Sequence, residues 1–213
     1  MKVRYLIPLC AVLISVVNAL ADANLVPNPN FSDPKDPMAT WRTYFPWESE
    51  WYANNGKYVK PVKEDGRTCA LLDFPTSIAT NQGGKIESAF FRIEPGARYR
   101  AEIDTKLGTF AGGMKIFAEA WSSDPDPGLQ QDKWRVPAAP DHPALVTCYR
   151  AQFPDPKGSP SEWITASREF TVPKVAYIKG KQQAPEYLTL KVVVFSAKDG
   201  KAFVTNFRVT KLP

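Results

Sequence analysis

The residues of this sequence that best fit a ligand-binding role are aromatic side chains that lie outside any strand pattern. Residues 44–52, YFPWESEWY, place Trp47, Trp51 and Tyr52 beside two glutamates. Trp121 and Trp134 border and occupy a proline-rich stretch at 122–143. Because aromatic rings stack on the C–H faces of sugars and polar groups bind their hydroxyls, these five residues are predicted to bind a glycan. The alternative is that Trp47 and Trp51 pack their loop against a sheet.

The side chains available for catalysis are few. The sequence has one histidine, His142, and no G-x-S-x-G nucleophile elbow. Histidine and cysteine are also too scarce for a zinc site. Paired carboxylates would suit glycoside hydrolysis, but no spacing singles out two of the available glutamates, which include Glu48, Glu50, Glu87, Glu102, Glu119 and Glu162. We therefore predict that the protein is not an enzyme.

The first 21 residues have the three parts of a secretory signal peptide: a basic head, an apolar run at 6–17 and the small-residue site Ala19-Leu20-Ala21. Cleavage after Ala21 or Ala23 predicts a secreted or periplasmic protein. The alternative, an uncleaved anchor, needs roughly 20 apolar residues, more than this run provides. After cleavage, no segment is long and apolar enough to span a membrane.

Charge and cysteine content restrict the partners and the compartment further. The formal net charge is +5, and two of the positive charges lie in the signal peptide. No block of basic residues indicates a nucleic acid partner. Cleavage leaves two of the three cysteines, Cys69 and Cys148. In an exported chain this pair predicts a disulfide, and the alternative is two buried free thiols.

Short runs of period-two alternation between prolines and glycines predict an antiparallel β-sandwich of the jelly-roll type, formed by a single domain at 22–213 with a long loop at 122–143. The predicted strands are 69–74, 85–93, 99–106, 114–121, 144–153, 163–172, 187–196 and 202–209. The last two are predicted to form a hairpin through Asp199-Gly200. Residues 24–31, NLVPNPNF, are predicted to be an edge strand with Leu25 and Phe31 turned inward. The phenylalanines in strand patterns are predicted to be core: Phe90, Phe117, Phe170, Phe195 and Phe207.

Residues 25–31, LVPNPNF, resemble the opening of carbohydrate-binding modules of families 4 and 9 and of galactose-binding-like jelly rolls. Residues 163–173 and 204–209 are similar to later strands of these modules. The resemblance implies a galactose-binding-domain-like fold, a carbohydrate or cell-surface glycan as partner, and structural roles for Trp41 and Trp163. The rival hypothesis is a cell-surface module on the same fold with a protein partner.

The resemblance also implies a structural calcium ion, which acidic groups of the family often help to bind. Here Ser32 stands where the family has a glutamate, and Asn206 or Thr205 where it has an aspartate. Calcium prefers several oxygens including carboxylates. The remaining candidate ligands are Asn28, Asp33 and Asn206, and no other cofactor is predicted.

Overall fold

The computed structural model describes residues 23–42, 58–75, 84–109, 113–128, 135–136, 143–157, 161–195 and 200–213. The strands in these ranges are β1 Trp41–Arg42, β2 Val59–Glu64, β3 Arg67–Phe74, β4 Gly84–Ser88, β5 Phe91–Arg92, β6 Arg98–Lys106, β7 Gly113–Ser123, β8 Arg135–Val136, β9 Leu145–Gln152, β10 Ile164–Thr171, β11 Ala176–Ile178, β12 Lys181–Gln183, β13 Tyr187–Phe195 and β14 Gly200–Lys211. Their antiparallel pairing in two large sheets confirms the predicted all-β sandwich.

The larger sheet has the spatial order β1–β4–β13–β7–β9–β8, with β5 beside β13. The smaller sheet has the order β10–β6–β14–β3–β2, and β11 and β12 form a separate hairpin. One apolar core draws on both large sheets, because alternate residues of each strand point inward. Leu190 of β13 and Ile103 of β6 are fully buried members of that core.

All eight runs of alternating residues contain strands at nearly the predicted positions. The run at 85–93 is divided into β4 and β5. The short strands β1, β8, β11 and β12 have too few residues to show a period, and β2 contains a proline at position 61. These strands therefore escaped prediction.

The segment NLVPNPNF forms bends and turns and not the predicted edge strand. Asn28 and Phe31 have left-handed backbone angles, with φ of 45° and 56°, which are incompatible with extended pairing. Phe31 does turn inward and is fully buried, and Leu25 is half-buried against the core. The Phe31 ring lies 4.9 Å from that of Trp41, and Trp41 lies 4.4 Å from Phe207. The segment therefore closes one end of the sandwich with aromatic contacts.

The predicted terminal hairpin is wrong. β13 pairs with β4, β5 and β7 in the larger sheet, whereas β14 pairs with β3 and β6 in the smaller one. The connection between β13 and β14 therefore crosses from one sheet to the other, as does the turn at Gly96 between β5 and β6.

The predicted disulfide is absent, because both cysteines are free thiols in the structure. Cys69 lies on β3 of the smaller sheet and Cys148 on β9 of the larger sheet. Packed sheets lie about 10 Å apart, beyond the Cα separation that a disulfide spans. The Cys148 thiol instead contacts the Ala120 carbonyl oxygen at 3.3 Å and the Ser122 hydroxyl at 3.1 Å.

The predicted signal peptide, residues 1–21, lies outside the described residues. Among the residues that are described, no helix is long and apolar enough to cross a membrane.

Candidate carbohydrate-binding site

The larger sheet places charged side chains on the face that points away from the core. In β4, β13 and β7 the inward residues include Ile86, Leu190 and Ala118, all of which belong to the core. Successive side chains of a strand point to opposite faces. The next residue of each strand therefore lies on the outer face, and these residues are Glu87, Lys191 and Glu119.

Five charged residues, one from each of five neighbouring strands, form what we call the charged row: Arg42 of β1, Glu87 of β4, Lys191 of β13, Glu119 of β7 and Arg150 of β9. Their signs alternate along the row. Arg42 Nη2 lies 3.6 Å from Glu87 Oε1, and Lys191 Nζ lies 3.9 Å from Glu87 Oε2. Lys191 Nζ and Arg150 Nη2 each lie 2.5 Å from a carboxylate oxygen of Glu119.

The centre of the charged row is sealed from solvent and its ends are accessible. The side chains of Glu119, Glu87 and Lys191 are 0%, 1% and 10% exposed, whereas those of Arg42 and Arg150 are 23% and 37% exposed. Burying ions costs several kcal/mol each, and apolar residues of similar volume are often as stable or more stable. A role beyond stability is therefore the better explanation for charges at these positions.

Electrostatics keep the central groups ionised. Burial opposes ionisation of Glu87, but the charges of Lys191, Arg42 and Lys85 hold the pKa of its carboxyl below the ordinary value, aided by a hydrogen bond from Thr189. Burial likewise opposes the charge of Lys191, yet Glu87 and Glu119 raise the pKa of its ammonium group. Both groups are therefore charged at neutral pH.

An aromatic ring lies under the guanidinium at each end of the charged row. Arg42 Cζ lies 4.3 Å from the centroid of Phe90, and Arg150 Cζ lies 4.9 Å from that of Phe117. Phe117 is half-buried on this outer face, so its assignment to the core is wrong, whereas Phe90 is half-buried against a second, smaller apolar cluster. The period-two pattern placed them in strands or beside them but did not show which face of the sheet each side chain occupies. Phe170 and Phe207 are in the core as predicted, and the side chain of Phe195 is not described.

Trp121, a predicted ligand contact, is buried and 5% exposed. Its ring packs with Phe90 and Tyr187 in a small apolar cluster beside the charged row. Its indole Nε1 donates to Thr189 Oγ1 at 3.1 Å, and Thr189 in turn bonds Glu87. Trp121 therefore supports the charged row from one side on the same face of the sheet, and its buried ring is not open for stacking.

The other predicted ligand rings, Trp47, Trp51, Tyr52 and Trp134, lie outside the described residues. The described chain nevertheless shows where their segments attach. Residues 43–57 follow β1 at one edge of the larger sheet, and residues 129–134 precede β8 at the opposite edge. Both segments therefore begin or end on the sheet that carries the charged row.

The predicted calcium ligands are engaged in hydrogen bonds that hold turns and strands. Asn28 Oδ1 accepts from the backbone amides of Ser32 and Asp33, and Asp33 Oδ1 accepts from that of Lys35. Asn206 donates to Asp104 at 2.8 Å. Within the described ranges, no group of three or more His, Cys, Asp or Glu side chains could hold a metal ion. Trp41 is buried in the core, and Trp163 is half-buried with its indole bonded to Asp65, which agrees with structural roles for both.

Sequence reasoning missed the charged row, although Glu87 and Glu119 were among the available glutamates. The usable signal was a glutamate beside apolar residues, on one side in Ile86-Glu87 and on both sides in Ala118-Glu119-Ala120. The same pattern occurs in ordinary half-exposed strands, so the signal was not specific.

No protein-family model matches the chain, and no curated protein matches it. Solved structures do match. A Stig cyclase, Fisc, from Fischerella sp. TAU is 13% identical with a TM-score of 0.56, over 91% of this chain and 98% of the cyclase. An arabinose-bound GH51 α-L-arabinofuranosidase is 9% identical with a TM-score of 0.51, over 90% of this chain but 27% of that enzyme. A CBM4 carbohydrate-binding module is 12% identical with a TM-score of 0.48, over 88% of this chain and 99% of the module.

At such low identities these likenesses show the fold alone. The score for the carbohydrate-binding module is too low to support the predicted family 4/9 membership. The function must therefore be argued from the site.

Proposed function

We propose that this protein is an exported, non-catalytic carbohydrate-binding module that holds a glycan on the outer face of its larger sheet. The observation that carries the proposal is the charged row, with an arginine stacked on a phenylalanine at each end. Such a surface combines fixed hydrogen-bonding groups with apolar rings in one pre-formed site, as sugar recognition requires.

The accessible ends of the charged row have capacity for hydroxyl groups. Glu87 Oε1 is sealed from solvent at the centre of the row, with Arg42 Nη2 3.6 Å away, so a sugar hydroxyl does not reach it. Arg150 and Gln152, both exposed at the β9 end, can bind the oxygens at the rim of a sugar ring.

The ionisation of Glu87 favours binding over catalysis. A general acid for glycoside cleavage needs a carboxyl whose pKa is raised, so that it holds a proton at working pH. The cations around Glu87 lower its pKa instead. We therefore expect a bound glycan to leave the site chemically unchanged.

The predicted loop aromatics complete the proposal. In the sequence, the segment with Trp47, Trp51 and Tyr52 runs from β1 of the larger sheet to β2 of the smaller one, and the segment with Trp134 precedes β8 of the larger sheet. We expect these aromatic residues to contact the glycan from both sides of the charged row, and we expect the signal peptide to deliver the protein outside the cytoplasm.

Affinity electrophoresis in gels containing β-glucan, xylan, arabinan or galactan tests the binding. We expect at least one polysaccharide to retard the wild-type protein. Arg150→Ala removes a charge-assisted hydrogen bond and should weaken that binding about tenfold or more. Gln152→Ala alters the same rim without touching an ion pair and should weaken it less.

The matched control is Arg98→Ala, which also removes an arginine from a cross-strand ion pair, with Glu169, but on the outer face of the smaller sheet. Its binding should equal that of the wild type. Trp51→Ala and Trp134→Ala test the loop aromatics by tryptophan fluorescence. Failure of every polysaccharide to bind would refute the proposal and favour a protein partner, and release of reducing sugar would refute the non-catalytic role.

A further inference from the structure

The β11–β12 hairpin exposes apolar side chains to an unusual degree for this protein. Tyr177 is 72% exposed and Val175 is 45% exposed, and among the described residues they are the only large hydrophobic side chains with such exposure. The neighbours Ala176 and Ile178 are buried. Successive side chains of β11 point to opposite faces, so Ala176 and Ile178 pack against the protein while the Tyr177 ring faces solvent.

A tight turn and two ion pairs position the hairpin. Lys179 and Gly180 have φ of 51° and 79°, the paired left-handed conformation of a tight hairpin turn. Lys179 Nζ lies 3.4 Å from Asp124 Oδ1, and Lys181 Nζ lies 2.7 Å from Asp126 Oδ1. These two ion pairs fasten the hairpin to the segment that follows β7.

The Tyr177 ring is itself positioned by a cross-strand partner. Gln182 lies directly opposite Tyr177 in the hairpin, and its Nε2 donates to the Tyr177 hydroxyl at 2.8 Å. This bond leaves the ring face open and the amide oxygen of Gln182 free of any bond to the tyrosine. A ring oriented beside an amide oxygen loses less side-chain freedom on binding than an unrestrained ring would.

We propose that Tyr177 and Gln182 form a second saccharide-binding site, separate from the charged row. The ring of Tyr177 stacks on the apolar face of one sugar, and the Gln182 amide oxygen accepts from a hydroxyl at its rim. The site extends the proposed function, because it engages another unit of the same polysaccharide.

The size and surroundings of the exposed patch favour a sugar over a protein partner. A stable protein interface buries about 800 Å² on each partner around an apolar centre. Here the exposed apolar side chains are one ring and one valine, with Lys179, Lys181 and Gln182 around them. One aromatic ring with a polar rim matches the dimensions and chemistry of a single sugar ring.

Two sites on one chain make a specific prediction about ligand length. A polysaccharide that is long enough to reach both sites gains affinity from avidity, whereas a short fragment occupies one site. The probes are the polysaccharide that retards the wild-type protein most strongly and a trisaccharide prepared from it. Tyr177→Ala should weaken polysaccharide binding about tenfold or more and leave trisaccharide binding at the charged row unchanged.

The matched control is Tyr177→Phe, which keeps the ring and removes the hydroxyl, and it should retain most of the polysaccharide affinity. Because Tyr177 is exposed, both variants should unfold at the wild-type temperature. A Tyr177→Ala protein that binds polysaccharide like the wild type overturns the second site alone. A wild-type protein that binds no polysaccharide overturns the second site and the proposed function together. If Tyr177→Ala weakens trisaccharide binding as much as polysaccharide binding, the two sites are not separate.

Discussion

Replacing Lys191 by methionine is the sharpest test of the charged row. The Lys191 ammonium group is the only member of the row that contacts both carboxylates, at 2.5 Å from Glu119 and 3.9 Å from Glu87. Methionine has nearly the same length and removes the charge without opening a cavity. Glu87 and Glu119 would then lie buried on either side of an uncharged side chain.

The expected loss is moderate because each carboxylate keeps an arginine neighbour, Glu87 with Arg42 and Glu119 with Arg150. The change removes the hydrogen bond from Lys191 to Glu119, and a hydrogen bond to a charged group contributes about 1.5–3 kcal/mol. The pKa of the Glu87 carboxyl should rise, because burial opposes its charge and Lys191 lowers its pKa more than the other cations do. We therefore expect Lys191→Met to lower the free energy of unfolding by about 1.5–3 kcal/mol at pH 7.

The pH dependence distinguishes an electrostatic cause from a packing defect. In the wild type, the lowered pKa of Glu87 contributes stability above the unfolded pKa of about 4.3, and this contribution is lost as the pH falls through the folded value. The raised pKa of Lys191 contributes stability below about 10.4, and that contribution is lost as the pH rises through the folded value. The wild type should therefore have nearly constant stability from pH 5 to 8. Lys191→Met should instead become more stable as the pH falls from 7 to 5, because the buried Glu87 carboxyl then takes up a proton more readily than it does in the wild type.

Urea unfolding followed by tryptophan fluorescence, at pH 7 and pH 5, measures both effects. Lys60→Met, a change at an exposed lysine on the outer face of the smaller sheet, is the matched control and should shift stability by less than about 0.5 kcal/mol. The triple change Glu87→Gln, Lys191→Met and Glu119→Gln should recover much of the loss at pH 7. Equal unfolding free energies for Lys191→Met and wild type at pH 7 would refute the electrostatic account.

Two substitutions test the core, and an alkylation experiment tests the cysteines. Gly84→Ala should cost about 1–3 kcal/mol, because a Cβ on Gly84 would lie 1.9 Å from the Phe74 ring, and thermal unfolding measures the loss. Phe207→Ala should cost about 3–5 kcal/mol in urea unfolding, since it removes a fully buried ring that contacts Trp41. Alkylation of the unfolded, unreduced protein should modify both Cys69 and Cys148. In the folded protein Cys69 should react slowly, because burial raises the pKa of its thiol to about 11.

Each of these expectations has its own control. Gly128→Ala adds a methyl group where no atom of the described residues lies within 4 Å, and it should leave the unfolding temperature unchanged. Phe207→Leu retains most of the buried volume and should cost less than the alanine change. Masses that show a single bridged pair, with no alkylation before reduction, would contradict the free thiols.

The strands that were predicted well are those whose formation depends on residues close together in the sequence. In the run at 99–106, Tyr99, Ala101 and Ile103 alternate with charged residues, so the sequence alone indicates one buried and one wet face. The same local evidence fails for β1 and β8, which have two residues each and exist because a neighbouring strand offers them hydrogen bonds. It also fails at NLVPNPNF, where Asn28 and Phe31 take left-handed backbone angles. The contact between the Phe31 and Trp41 rings offsets the cost of that backbone conformation.

By itself the sequence determined the class of fold, because period-two alternation depends only on the pleat of a strand. It also specified that residues of the long strands alternate between two faces, and it specified the turn at Gly96. Only the tertiary structure decided which strands are neighbours, and this placed β13 and β14 in different sheets and kept Cys69 apart from Cys148. It likewise decided that the outer faces of β4, β13 and β7 are covered, so that Glu87, Lys191 and Glu119 are buried. The physical reason is that a strand's pattern reports which side chains share a face, whereas pairing and coverage depend on residues far away in the chain.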